Sequence, residues 1–498
     1  MNNEIVDELL RRIGQYGVQE IIVSPGSYNS PIFAAAEKLD KFKLTYHFDE
    51  RGAAFLALGK IKADKKPVAV CVTSGTAVAE CLPAVIEAKY TGLPLIIISG
   101  DRPKRFVGSG APQVIEQIDV LTPFVNAVYD IEEVRQFSQL GTYDAHLPCH
   151  FNVRFEEPLF GSSEPRSSNP EITILNSGSE LRCRPLIILS ELDHDQREEV
   201  LHFVKKIKAP VIAEPLSGLR ESTELSSQLL HSSESCLDQL EFDQVIRIGG
   251  VPVTKLWRDL ERKDRYKNLS ILCYSDLPYS GLARESVVLP ISELRHFSTE
   301  TAIPAEYLIS AKKIDQGLYV EFLRRREESP RSELSLIHHL SQQIPANSVV
   351  YLGNSLPIRE WGAAAIFEDR RFDYHANRGA NGIDGQIATF VGLIDEKREA
   401  WGILGDLTFL YDISSLALLA QTRGKFRLVV MNNRGGQIFS SLPYFSKHFA
   451  GASGERFINA QKVELSLLAQ AFGLKFIRSD TVNVSQWPER CIVELTPI

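Results

Sequence analysis

Short apolar runs alternate with helix-patterned stretches along almost the whole chain, and each run stops at a small or turn-forming cluster. That alternation constrains the fold more than any other feature, because parallel strands need a helical crossover between them and bury both of their faces. In the first 160 or so residues the runs are Glu20–Val23, 67–72 and 95–99. They end in Ser24-Pro25-Gly26-Ser27, Thr73-Ser74-Gly75-Thr76 and Gly100-Asp101-Arg102-Pro103. A second set of strands is expected at Pro185–Leu189, 209–213, Gln244–Ile248, 269–273 and 286–289, and a third at 348–352, 400–404, Phe426–Met431 and 491–495. A Ser- and Pro-rich stretch, 161–172, reads as a linker between the first two sets. The expected architecture is α/β, with three doubly wound parallel-sheet domains at 1–165, 173–325 and 331–498 and ligands at the carboxyl ends of the strands. A length of 498 residues agrees with about three domains of ~150 residues each.

Composition narrows the function classes. A net charge of −8, from 55 Lys+Arg against 63 Asp+Glu, gives no electrostatic footprint for nucleic acid. The basic run Arg324-Arg325-Arg326 is followed at once by Glu327 and Glu328 and reads as a solvated helix end. No apolar run approaches the ~20 residues of a membrane-spanning helix. Seven scattered cysteines without a Cys-x-x-Cys pair suggest neither a disulfide framework nor a zinc site. The first residues place Ile5, Val6, Leu9, Leu10 and Ile13 at helical spacing, as in a helix of a mature protein. The expectation is a cytoplasmic protein that binds neither nucleic acid nor membrane.

The chemistry concentrates in 400–439. An apolar strand leads into Gly405-Asp406-Leu407-Thr408, a helix follows, and a second strand stops at Asn432-Asn433-Arg434-Gly435-Gly436. Asp406 and Asn433, 27 residues apart, would lie at neighbouring strand ends. A carboxylate and an amide oxygen suit Mg²⁺ shared with substrate phosphates, and backbone N–H groups at the helix start would face those phosphates. The same residues could instead cap the helix and turn the chain.

Gly-Asp-x followed by 25 to 30 residues and Asn-Asn resembles the thiamine diphosphate motif. The usual third glycine is Leu407 here, a departure shared by the 2-succinyl-5-enolpyruvyl-6-hydroxy-3-cyclohexene-1-carboxylate (SEPHCHC) synthase family of the menaquinone pathway. The chain resembles that family in Ser24-Pro25-Gly26-Ser27, His47-Phe48-Asp49-Glu50-Arg51-Gly52, Thr73-Ser74-Gly75-Thr76-Ala77 and Gly100-Asp101-Arg102-Pro103. The likeness continues in Gly353-Asn354-Ser355, in the run from Asn377-Arg378-Gly379 through Ile383 to Gly385, and in Asn433 to Phe439. It covers the first and third domains well and the middle one poorly.

The resemblance implies a transferase (carboligase) of the decarboxylase/synthase fold type. In it Glu50 bonds N1′ of the cofactor's aminopyrimidine and promotes ylid formation, and Ile383 bends the cofactor into a V. Asp406, Asn433 and the Gly435 carbonyl hold Mg²⁺ (or Mn²⁺), while Gly405, Leu407, Thr408 and Ile438 complete the cofactor site. The implied reaction decarboxylates 2-oxoglutarate to a succinyl-type carbanion that adds to isochorismate. Ser27, Arg102, Gln113, Ser355, Arg359 and Arg378 would be polar substrate contacts, and Phe439 and Leu442, with Ile438, an apolar wall. The implied assembly is a homodimer or homotetramer in which Glu50 and the diphosphate site come from different subunits.

Two positions depart from the family's pattern. Tyr28 stands where an arginine is usual, and Pro112 where an asparagine is usual. Lys104 or Arg105 could restore the charge, and a middle-domain contact is expected near His296-Phe297-Ser298. His47 and His375, beside the motifs, are expected to be structural. Two other readings stay open: a thiamine diphosphate 2-oxoacid decarboxylase or acetohydroxyacid synthase-like enzyme, and a non-catalytic scaffold retaining the fold.

Overall fold

The computed structural model describes residues 2–39, 41–140, 147–160, 181–283, 288–298 and 301–498. The expected linker at 161–172 lies outside them. Three all-parallel sheets are present, as the alternating pattern requires. The first is built from β1 (Glu20–Val23), β2 (Lys43–Tyr46), β3 (Val68–Val72), β4 (Leu95–Asp101), β5 (Ala127–Ile131) and β6 (Cys149–Arg154), in the order β2-β1-β3-β4-β6-β5. The second contains β7 (Pro185–Leu189), β8 (Val211–Ala213), β9 (Gln244–Ile248), β10 (Ser270–Tyr274) and β11 (Val288–Leu289), in the order β8-β7-β9-β10-β11. The third is built from β12 (Val349–Leu352), β13 (Asp373–His375), β14 (Ala400–Gly405), β15 (Phe426–Met431), β16 (Phe476–Ser479) and β17 (Arg490–Leu495). Its order, β13-β12-β14-β15-β17-β16, repeats that of the first sheet strand for strand.

Alternation along each central strand feeds two cores. Ile96 and Ile98 of β4 point to one face of the first sheet and Leu95 and Ile97 to the other. The helix Asn2–Gln15 buries Ile5, Val6, Leu9, Leu10 and Ile13 on one of these faces, as its spacing predicts. The basic run ends the helix Ala305–Glu328, where Arg324 pairs with Glu321 and Glu328 in solvent. No helix among the described residues is long and apolar enough to cross a membrane.

In a doubly wound sheet the strand order reverses between the first and third strands, and the loops leaving their carboxyl ends diverge to leave a crevice. The first sheet has that crevice between β1 and β3, and the third between β12 and β14. The two crevices face each other because the first and third domains share an aromatic seam. Phe33, on the helix Ser30–Lys38, meets Phe457 edge-on at 5.1 Å and Phe449 at 5.5 Å, all three rings being buried. Glu37 of the same helix pairs with Arg456 at 2.7 Å. Across the crevices Thr76 donates to Asp384 at 2.8 Å. Gly382 is needed for that approach, since a Cβ there would lie 2.4 Å from the Thr76 hydroxyl and 2.1 Å from the Asp384 carboxylate.

Candidate active site

The facing crevices enclose a cavity of about 1160 Å³, and every residue singled out for cofactor, metal or substrate binding lines it. Its floor follows from register. Gly405 at the end of β14 pairs with Met431 at the end of β15, so Asp406 and Asn433 emerge side by side. Asp406 begins the helix Asp406–Tyr411, is buried, and accepts from the backbone N–H of Leu407 at 2.9 Å and of Gly435 at 2.7 Å. Burial pushes its carboxyl up to about 6, against the pull of those two N–H groups. Gly435 holds a φ of +106°, and a Cβ there would fall 2.6 Å from the Ile458 carbonyl, so the turn that presents it requires glycine. Asn433 donates through Nδ2 to Glu333 at 2.7 Å. Behind Glu333, Glu360 is pushed up to about 9 by burial and by the Glu333 charge.

Opposite this floor, the helix Glu50–Asp64 starts at the cavity, capped by the Asp49 side chain on the Gly52 N–H. Glu50 opens onto the cavity, yet the surrounding protein desolvates its carboxyl and raises it to about 7. Tyr411, from the third domain, donates to it at 2.9 Å and tempers that rise. A carboxyl balanced near neutrality can take up or release a proton at little cost. Ile383 and Thr408 line the space between the two sides.

Cations from all three domains line the cavity, interspersed with acids such as Glu156, Glu157, Glu214 and Glu234. Arg102 and Arg105 come from the first domain, Arg359 and Arg378 from the third, and Lys255, Arg258 and Arg262 from the middle one. Burial and the neighbouring Arg359 charge depress Arg378 to about 10, with Glu214 and Glu191 opposing the shift. A guanidinium held at such a cost is a site for an anion. Buried polar atoms also lack protein partners here: the hydroxyls of Thr73 and Ser74, Oδ1 of Asn381 and Nε of Arg378. Backbone strain gathers at the same place, with non-glycine residues Gln113, Ser355 and Asn381 at φ of 58°, 72° and 61°. Unpaired buried polar groups and strained φ values are features of ligand sites rather than of ordinary cores.

Within one chain, Glu50 and the Asp406–Asn433 floor line the same cavity. The Phe33–Phe449–Phe457 seam seats the first domain on the third within the chain and brings both sides together. His296-Phe297-Ser298 is absent from the lining; Phe297 is buried in the middle-domain core. The middle domain instead contributes Lys255, Arg258 and Arg262, on and after the short helix Lys255–Asp259. Lys104 is also absent from the lining, while Arg105 reaches it paired with Glu156. His47 and His375 stand outside, His375 paired with Asp373 at 3.3 Å.

The two departures have structural partners. Tyr28 donates to Glu157 at 2.5 Å and lies under the Arg102 guanidinium, 4.8 Å from its ring centre. The Pro112 carbonyl accepts from Arg102 Nε at 3.3 Å. Together they fix the orientation of an arginine that faces the cavity. Sequence reasoning missed Tyr411, Glu333 and the middle-domain cations. Tyr411 sits on the Asp406 helix, a usable signal, but a tyrosine on an apolar helix reads as core.

Comparison with known proteins agrees with this geometry. Residues 3–120 match the thiamine pyrophosphate enzyme N-terminal TPP binding domain, and residues 361–490 the thiamine pyrophosphate enzyme C-terminal TPP binding domain. The chain is 35% identical to the 2-succinyl-5-enolpyruvyl-6-hydroxy-3-cyclohexene-1-carboxylate synthase of Bdellovibrio bacteriovorus, over 100% of this chain and 96% of that protein. It is 33% identical to the synthase of the same name from Akkermansia muciniphila, over 99% and 96% of the two chains.

Proposed function

The chain belongs to the SEPHCHC synthase family, and from that premise we propose that it decarboxylates 2-oxoglutarate in a thiamine diphosphate-dependent reaction. It then transfers the remaining succinyl unit to isochorismate, giving 2-succinyl-5-enolpyruvyl-6-hydroxy-3-cyclohexene-1-carboxylate for menaquinone biosynthesis. One observation carries this reading: Glu50 and the Asp406–Asn433–Gly435 floor face one cavity that Arg102, Arg359 and Arg378 also line. The donor set and the orphaned hydroxyls and amide fit a diphosphate-bearing cofactor and polyanionic substrates.

Asp406, Asn433 and the Gly435 carbonyl would hold Mg²⁺ or Mn²⁺, all hard oxygen donors. Gly405, Leu407, Thr408 and Ile438 would border the diphosphate, and Ile383 the bend between the cofactor's rings. When bound, thiamine diphosphate supplies the electron sink for breaking and making bonds at the oxoacid carbon. The chain does the rest. Glu50 would hold or release a proton at the aminopyrimidine N1′, which its near-neutral titration makes easy. Arg378, Arg359 and Arg102 pair with substrate carboxylates, and Ser27, Gln113 and Ser355 orient them. Phe439 and Leu442 keep water from the reacting carbon.

We further propose the domain bounds 1–165, 173–325 and 331–498, a cytoplasmic location, and assembly as a homodimer or homotetramer. Phe55 and Leu56, on the helix that begins at Glu50, and Tyr90, on the adjacent helix Leu82–Thr91, are exposed and give copies an apolar surface to share. The test supplies the protein with Mg²⁺, thiamine diphosphate and both substrates. CO₂ release that requires 2-oxoglutarate and isochorismate together supports the reading. Turnover of pyruvate with none of that pair would replace it by another thiamine diphosphate activity.

A further inference from the structure

An asparagine amide can present either its oxygen or its NH₂ to a cavity, and only the oxygen serves a cation. The structure contains a device that decides between them. Glu333, first residue of the helix Glu333–Gln343, accepts from Asn433 Nδ2 at 2.7 Å, and both residues line the cavity. A carboxylate offers acceptors and no donor, so the amide must turn its NH₂ toward Glu333, which directs Oδ1 away from it. The adjacent Asn432 is fixed the same way by a different acid: its Nδ2 donates to Glu494 at 2.5 Å, and its Oδ1 accepts from the Arg434 N–H at 3.2 Å. The backbone between is held as well, with Gln437 Nε2 donating to the Asn433 carbonyl at 3.1 Å. Two consecutive asparagines thus each have their own glutamate, and only Asn433 and its glutamate open onto the cavity.

We propose that Glu333 is a positioning residue that turns the Asn433 amide oxygen toward the divalent cation of the diphosphate site. The proposal rests on the functional reading above. Groups hydrogen-bonded to metal ligands commonly change metal affinity about 10- to 100-fold when removed.

The test titrates Mn²⁺ into the protein with excess thiamine diphosphate and counts free Mn²⁺ by electron paramagnetic resonance. Glu333→Gln, able to offer either a donor or an acceptor, should weaken binding about 10-fold. Asn433→Asp sets two carboxylates against each other and should weaken it more. The double variant, Glu333→Gln with Asn433→Asp, should bind within about threefold of the unaltered protein, because the introduced amide can donate to the introduced carboxylate and leave its second oxygen for the metal. A purely structural role would produce no such rescue. Thermal unfolding without cofactor identifies any variant that fails to fold, and the remaining single variant and the double still decide the matter. Unchanged binding by Glu333→Gln, or a double variant weaker than both singles, overturns the proposal. Absence of thiamine diphosphate-dependent Mn²⁺ binding by the unaltered protein overturns the functional reading beneath it instead.

Discussion

Replacing Glu50 by glutamine should destroy catalysis and stabilise the cofactor-free protein, and the two effects share one cause. The Glu50 carboxyl titrates at about 7 in the fold against an ordinary value of 4.5, chiefly through burial. A raised carboxyl pKa means that the folded state holds the proton more tightly than the unfolded one. No penalty exists below pH 4.5, where both states are protonated; it grows as pH rises toward 7 and is complete above it. A shift of that size corresponds to about 3 kcal/mol, and water in the cavity screens part of it, leaving about 2 kcal/mol. Glutamine fills the same space, can still accept from Tyr411, and carries no charge to desolvate. Glu50→Gln should therefore raise the unfolding midpoint at pH 8 by about 2 °C, with the gain vanishing at pH 4.5. Its kcat should fall about 10²- to 10⁴-fold, the range for a lost proton-transfer group. Differential scanning calorimetry of the cofactor-free proteins at both pH values is the assay. A midpoint unchanged at pH 8, or a gain of equal size at pH 4.5, would refute the claim that Glu50 is held there at a cost in stability.

Other substitutions read other walls of the cavity. Tyr411→Phe removes the bond that tempers the rise of Glu50, so the acid limb of the kcat/KM profile should move to higher pH; an unmoved limb would mean that the tyrosine does not act on Glu50. Arg378→Met should raise KM for 2-oxoglutarate about 10- to 100-fold with a smaller change in kcat, as expected for losing one partner of a buried ion pair; steady-state kinetics with KM unchanged would remove Arg378 from the substrate set. Ser355→Gly relieves a φ of 72° and should stabilise the protein by about 1 kcal/mol, read as a higher urea midpoint; a lower midpoint would show that the hydroxyl contributes more than the strain costs.

The strands that could be read from sequence and those that could not divide along a physical line. Central strands such as β3, β4, β14 and β15 bury both faces and appear as unbroken apolar runs. Four of the five unread strands, β2, β5, β13 and β16, are the two edges of the first sheet and the two edges of the third. Each is half-buried and short, and so carries no such run. β6 was missed for another reason. It is buried throughout, yet its His150, Asn152 and Arg154 are polar, because they join a network with Ser99, Asp101 and Asp130. The site was legible where a backbone demand or a ligand chemistry imposes a residue type, as at Asp406, Asn433 and Gly435. The middle-domain cations Lys255, Arg258 and Arg262 were not, because any arginine or lysine suits a surface helix and only the tertiary fold turns these toward the cavity.

The proposed function requires that Glu50 on one side and Asp406 with Asn433 on the other enclose a single cofactor site. Calorimetric titration of the protein with thiamine diphosphate, with and without Mg²⁺, tests it most directly. One binding event per chain that depends on the metal, and that Asp406→Ala abolishes, is the predicted result. Absence of binding in the presence of Mg²⁺, or binding indifferent to both the metal and Asp406, would contradict it.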